Sequence, residues 1–140
     1  MHLDVISQNK IVLNEDIEEV VLPTPKGQIG ILPHHVNLVT KVEPGEMIIR
    51  IKGKTEYFAI TGGFLEVNNN KVTILADYAI QSEEIEIEKA LEAKKHAEET
   101  LRKNKESISE RDFAIAKADL IRAMMELRVA NKRRRGQTLP

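Results

Sequence analysis

Through the first half of the chain, apolar and polar residues alternate in short bursts separated by turn residues. Read at a period of two, the bursts predict strands at Leu3–Ser7, Ile11–Leu13, Glu18–Leu22, Gln28–Leu32, Met47–Ile51, Glu56–Ile60, Phe64–Val67 and Val72–Leu75. Between them lie Pro25-Lys26-Gly27, Pro44-Gly45, Lys52-Gly53-Lys54, Thr61-Gly62-Gly63 and Asn68-Asn69-Asn70. The Lys52-Gly53-Lys54 and Asn-rich connections have the chemistry of tight hairpin turns. Short strands at this spacing predict an antiparallel β-sandwich or barrel.

The period then changes. Ile87, Ala90, Lys94, Ala97 and Leu101 recur every three or four residues, as do Phe113, Ala116, Leu120, Ala123, Leu127 and Ala130. Each series is one seam of an α-helix, and the polar break Asn104–Ser109 is short enough to make the helices antiparallel neighbours. Ser109 suits the N-cap of the second helix, with Glu110 and Asp112 favouring its dipole. Alanines in both seams allow close approach of the backbones. The second helix carries a further strip, Ala114, Ala118, Ile121 and Met125, which a two-helix hairpin cannot bury internally. That strip must lean on another surface, either the chain's own β-domain or a partner.

Glycine and proline place the boundary. Six of seven glycines and four of five prolines precede residue 64, and neither type occurs from Phe64 to Arg135. Turn chemistry is crowded where strands need it and absent where long helices need its absence. The expected organisation is a β-sandwich over 1–82, a helical hairpin over 83–135 and a tail over 136–140.

Composition narrows the function classes. Aromatics are only 4% and Trp is absent, so the core must be aliphatic. With no Cys, disulfides, thiolate metal sites and a Cys nucleophile are excluded. A net charge of −1 gives no field suited to a polyanion. The N-terminal segment lacks the charged-then-apolar order of a signal peptide, and no apolar run reaches the roughly 20 residues that span a bilayer. These features lead us to expect an intracellular, soluble or peripherally attached protein.

Charge is uneven along the chain. From Leu120 onward six bases, Arg122, Arg128, Lys132, Arg133, Arg134 and Arg135, stand against one acid, Glu126. The Lys132–Arg135 run complements the helix C-terminus and reads as a solvated tail. The competing reading is a docking patch for an acidic protein surface.

No catalytic constellation assembles. His34-His35 has no acidic neighbour at helical spacing to complete a metal site. Lys26-Gly27-Gln28-Ile29-Gly30 lacks the Gly-Lys-Ser/Thr ending of a phosphate loop and precedes no helix. Gly62-Gly63 joins two strands and reads as a tight bend. Ser7, Ser82, Ser107 and Ser109 occupy no nucleophile elbow. Probability therefore moves from enzyme to subunit, adaptor or regulator.

With those residues in view, the chain resembles the epsilon-subunit family of bacterial F-type ATP synthases, essentially end to end. The resemblance rests on His2-Leu3-Asp4-Val5, on Gly27-Gln28-Ile29-Gly30-Ile31-Leu32-Pro33 with His35 and Leu38, and on Gly62-Gly63-Phe64-Leu65-Glu66-Val67. It continues in Val72–Asp77, Ala93-Lys94, and Arg122-Ala123 with Leu127, Val129 and Ala130. It implies ten strands in a sandwich plus two helices. It also implies a non-catalytic place in the rotor stalk, at the cytoplasmic face of the bacterial membrane. There the sandwich would be held between the γ subunit and the c-ring, while the α/β catalytic hexamer makes ATP from ADP and phosphate. Gln28, His35 and Leu38 would face γ or the c-ring. The hairpin would restrain ATP hydrolysis by opening towards β, with Arg122, Arg128 and Lys132–Arg135 as its contacts.

The family histidine usually sits between Gly and Ala-Pro, whereas His35 here lies between His34 and Val36-Asn37. Relatives whose hairpin binds ATP carry an Ile/Leu-Asp-x-x-Arg-Ala signature. Against it, Arg111–Ala116 matches at Asp112 and Ala116 but places Ile115 at the arginine, so no resident cofactor is expected and ATP is disfavoured as a regulator. Asp112 and Arg122 are the residues left that could meet it. A free-standing regulatory or adaptor module, binding a protein or nucleotide through the hairpin, is the alternative function.

Overall fold

Alternation in the sequence becomes alternation in burial. The computed structural model describes residues 1–8, 10–103 and 108–138. Its strands are β1 (His2–Ser7), β2 (Lys10–Asp16), β3 (Glu19–Thr24), β4 (Gly27–Ile31), β5 (Leu38–Val42), β6 (Gly45–Ile51), β7 (Lys54–Ile60), β8 (Gly63–Asn68), β9 (Lys71–Ala76) and β10 (Ala79–Gln81). A single 3-10 turn, Ser82–Glu84, leads to α1 (Ile87–Lys103) and α2 (Glu110–Thr138).

The strands form two five-stranded sheets, in the orders β2-β1-β9-β8-β5 and β10-β7-β6-β3-β4. Every ladder is antiparallel except β1–β9, which is parallel and pairs His2 with Lys71 through Ser7 with Ala76. The wholly antiparallel arrangement read from the hairpin turns therefore misses one pair. No local turn joins β1 to β9, so local turn chemistry could not specify it. Facing side chains of the two sheets bury one aliphatic core, including Leu3, Val5, Leu22, Ile31, Met47, Ile49, Ile60, Leu65, Val67 and Ile74. Each fully buried large side chain contributes about 1.5–3 kcal/mol of transfer free energy.

The tight turns form as expected. Lys52-Gly53 and Asn69-Asn70 both lie at positive φ, as the mirror-image hairpin turns require. At Gly63 (φ 145°) an added Cβ would stand 2.1 Å from the Leu75 carbonyl oxygen, so only glycine fits where β8 begins. The eight strands expected from pattern are all present. β5 and β10 are absent from the pattern reading: β5 buries only Val42 fully, and β10 is three residues long.

The helices also follow the seams. Ala90 and Ala97 on α1 are buried, as are Ala116, Ala123, Leu127 and Ala130 on α2. Ser109 caps α2, its Oγ accepting the Asp112 backbone N–H at 3.1 Å. The break expected at Asn104–Ser109 has residues 104–107 outside the described residues. α2 continues past the expected hairpin end at residue 135 to Thr138, so 136–138 is helix rather than tail. Gly136 costs a helix only about 1 kcal/mol relative to alanine and does not stop it.

Candidate interaction surfaces

The sandwich has two outer faces with different residents. On the β2-β1-β9-β8-β5 sheet, outward positions form rows across the strands. One row pairs Ile11 with Ile6, Ile6 with Leu75, Leu75 with Phe64 and Phe64 with Lys41. Four adjacent strands thus contribute an apolar side chain to one line, about 15 Å long at the usual strand spacing. Ile11, Leu75 and Phe64 are 64%, 54% and 59% exposed. Apart from Val39 on β5, 73% exposed and paired with Glu66, the rest of that face is polar. His2 Nδ1 lies 2.9 Å from Asp16 and Nε2 3.3 Å from Asp4, which also receives Lys71 at 3.6 Å.

The other face is covered by the hairpin. Ala59, Ile85, Val129 and Ala130 form a second buried cluster, with Ile80, Ile87 and Met125 against it. This cluster is separate from the core between the sheets. The second strip of α2 therefore divides: Met125 leans on the chain's own β-domain, while Ala114 and Ala118 are exposed. Of the two surfaces left open by the sequence, the β-domain is the one used here.

Around this small apolar seat the basic end of α2 is held by named partners. The Arg133 guanidinium stacks over the Tyr57 ring, 3.7 Å from its centroid. Its Nε donates to Glu46 at 2.7 Å, and its Nη2 donates to the other oxygen of the same carboxylate. Lys132 Nζ stands 3.5 Å from Glu46 as well. Arg134 donates to the backbone carbonyls of Ile85 (2.7 Å) and Ser82 (3.4 Å). Towards the other end, Arg122 stacks over Tyr78 at 3.9 Å and bonds Glu126 at 3.1 Å. The Glu46 hydrogen bond raises the Arg133 pKa above its ordinary value. Burial, then the Glu126 charge, raises the Tyr78 hydroxyl.

These contacts correct the reading of Lys132–Arg135 as a solvated tail. Lys132, Arg133 and Arg134 are bound to the β-domain and its connection to α1, Arg128 is exposed, and the side chain of Arg135 lies outside the described residues. Sequence reasoning missed the receptors Glu46, Tyr57 and Tyr78. One signal was available: both tyrosines of an aromatic-poor chain face the hairpin.

The remaining candidates are spread out. Gln28 is exposed near the start of β4, lining a hollow with Pro23, Glu46, Arg128 and Lys132. His35 follows the far end of that strand, in a segment tied to the β8–β9 turn: Asn70 accepts the His34 N–H at 2.8 Å, and Asn37 accepts that of Asn69 at 3.0 Å. Leu38 is partly buried against the core. The structure therefore brings His35 and Leu38 near each other but not Gln28. Asp112 and Arg122 are also apart, ten positions or about 15 Å along one helix. Asp112 lines a hollow with Ile115 and Asp119, whereas Arg122 lines an interhelix cleft with Lys89, His96 and Glu126. Among the described residues no group of three His, Asp or Glu could hold a metal, and no helix is long and apolar enough to cross a membrane.

Comparison with known proteins covers nearly all of this architecture. Residues 1–82 match the family described as ATP synthase, Delta/Epsilon chain, beta-sandwich domain, and residues 83–131 match its long alpha-helix domain. The ATP synthase epsilon chain of Desulfitobacterium hafniense is 43% identical over 91% of this chain and 94% of its own length. That of Dehalococcoides mccartyi is 40% identical over 96% of this chain and 95% of its own. Among solved structures, a chain of the Euglena gracilis mitochondrial ATP synthase OSCP/F1/c-ring assembly matches with a TM-score of 0.68 and 27% identity, covering 91% of this chain and 79% of that one. A chain of the Tetrahymena thermophila central stalk/c-ring structure shares the fold, with a TM-score of 0.56 at 17% identity, covering 94% of each chain.

Proposed function

The chain belongs to the ATP synthase delta/epsilon family, and we propose that its two outer faces divide the work of a rotor-stalk subunit between coupling and restraint. It is a non-catalytic subunit of the rotary complex, peripheral to the membrane, with the γ subunit, the c-ring and the catalytic hexamer as partners. The bare face is the coupling face. A line of four apolar side chains, on a sheet face whose other outward positions are polar but for Val39, is the observation that carries this reading. Apolar surface of this kind on a stably folded domain marks a seat for another protein, and we assign it to γ. Gln28 and the His35–Leu38 segment, at opposite ends of β4, meet two different partners, γ and the c-ring. The complex stands on the cytoplasmic side of the bacterial membrane.

The hairpin is the restraining element. It covers a face the sandwich does not need for its own core, so it can leave without unfolding the domain. Once released, its basic end presents Arg122, Arg128 and Lys132–Arg135 to an acidic surface on the catalytic hexamer. Truncation after Ser82 tests both halves of the proposal. The shortened chain is expected to assemble with γ and the c-ring and to support ATP synthesis, while ATP hydrolysis by the complex rises several-fold. Loss of assembly would show that the hairpin, not the bare face, carries docking. Unchanged hydrolysis would remove the restraining role.

A further inference from the structure

The hairpin seat is built as a clasp rather than as a core. Its buried cluster contains two alanines, one valine and one isoleucine, with only partly buried neighbours around them. Seats of that size hold an element weakly, because transfer free energy scales with the apolar area removed from water. What the seat lacks in area it has in directed contacts at its margins. The Glu46 carboxylate and the Tyr57 ring receive one guanidinium, fork to carboxylate and face to face, and the Tyr78 ring receives another eleven residues earlier on α2. Eleven residues of helix span about 16 Å, so the two grips fix both position and direction of α2. Glu46 is 13% exposed and Arg133 22%, so solvent screens their pairing less than it would an open surface pair.

From this geometry we infer that Glu46, Tyr57 and Tyr78 form a receptor on the sandwich that holds the hairpin shut by gripping Arg133 and Arg122. Because the closed seat holds the Nε–Nη2 edge of Arg133 on Glu46 and lays the guanidinium groups of Arg133 and Arg122 over rings of the sandwich, an acidic partner reaches these groups in this arrangement only after the hairpin has left, and the two use them alternately. The inference rests on the restraining role proposed for the hairpin, and it deepens that role with a regulatory consequence. Substitutions on the two sides of the clasp have opposite effects. Removing the receptor frees the hairpin with its basic end intact, whereas removing the arginines frees the hairpin but disarms it.

The test has two arms. In the isolated full-length protein, hydrogen exchange of α2 amides reports opening. Glu46→Gln combined with Tyr57→Leu is expected to speed exchange in α2 on the order of tenfold, the scale of losing one charge-assisted fork and one stacked cation, while the strands stay protected. Tyr78→Leu alone serves as a second variant at the other grip, and a cooperative unfolding transition checks that each variant is folded. In the assembled complex, the receptor variant is expected to lower ATP hydrolysis below wild type, and Arg122→Gln with Arg133→Gln to raise it. Unchanged exchange in both receptor variants would overturn the clasp, whatever hydrolysis does. Faster exchange with hydrolysis unmoved by either set would overturn the alternate use and, with it, the restraining role. Hydrolysis shifting in the same direction for both sets would overturn the alternate use alone.

Discussion

The two outer faces of the sandwich are made from the same alternation of strand residues, yet they end in opposite conditions. On the β10-β7-β6-β3-β4 sheet, outward positions such as Glu46, Tyr57 and Ala59 are occupied by α2, through a small apolar cluster and the arginine grips at its margins. On the other sheet the outward row Ile11, Ile6, Leu75 and Phe64 is apolar, and nothing among the described residues covers it. One apolar row is thus left bare while the helices cover the opposite face. That division separates a partner seat, which gains from dry apolar area, from a releasable seat, which gains from specific polar grips.

The largest expected effect separates both faces from the core between them. Ile74 is fully buried in the inter-sheet cluster, and Ile74→Ala is expected to destabilise the protein by about 2–5 kcal/mol in denaturant unfolding. Val129 is just as buried but belongs to the hairpin seat. Val129→Ala is expected to leave the unfolding midpoint of the sandwich nearly unchanged while exposing α2 to exchange. Equal losses of sandwich stability in the two variants would mean that hairpin and sandwich share one cooperative core, and the division of faces would fall.

A smaller effect is expected on the bare face, and it should appear in binding rather than in folding. Phe64→Glu sets a carboxylate opposite Lys41 on the neighbouring strand, so the ladder gains an opposite-charge pair as it loses an exposed ring. Folding stability should move by no more than about 0.5 kcal/mol. Affinity for γ should fall by roughly 2 kcal/mol, about thirtyfold, as expected for an aromatic anchor in the middle of an interface. Titration calorimetry with γ and denaturant unfolding of the variant measure the two quantities. Full affinity in Phe64→Glu would move the γ seat elsewhere.

Much of this contrast can be traced to particular residues of the sequence. The helix seams, the Ser109 cap and the hairpin turns follow from local rules, because period, capping oxygen and positive-φ residues act within a few positions. The bare row was also within reach. Val5-Ile6, Phe64-Leu65 and Ile74-Leu75 are apolar doublets inside strands, and a doublet must send one side chain outward. Pattern reading finds the doublets, but only the pairing of β1 with β9, whose partners are 69 residues apart in sequence, aligns them into one line. The clasp was beyond local rules for the same reason. Arg133 and Glu46 are 87 residues apart, and the basic run alone looks like any helix end facing water.

The smallest effect concerns pH, and it belongs to the polar half of the bare face. His2 sits between two carboxylates, and its hydrogen bond to Asp16 raises its pKa above the ordinary 6.5, burial opposing and the charge of Asp4 assisting. The same bond lowers Asp16 below its ordinary 3.8. A raised histidine contributes stability that is fully present below 6.5 and disappears as pH climbs through the folded-state value. A lowered carboxylate contributes stability that is present above 3.8 and disappears as pH falls through its own folded value. The pair therefore acts in full between about 3.8 and 6.5 and fades on either side. Both groups are exposed, so the global unfolding midpoint should barely move. The local readout is proton NMR of the His2 ring, whose titration should lie above 6.5 in the full-length protein and shift down in Asp16→Asn. Raising pH from 6 to 8 should loosen the ends of β1 and β2 in hydrogen exchange without releasing α2, since the arginines of the clasp stay charged throughout that range. If α2 loosened together with β1 and β2, the two faces would be coupled through the sandwich, and the separation drawn between them would be lost.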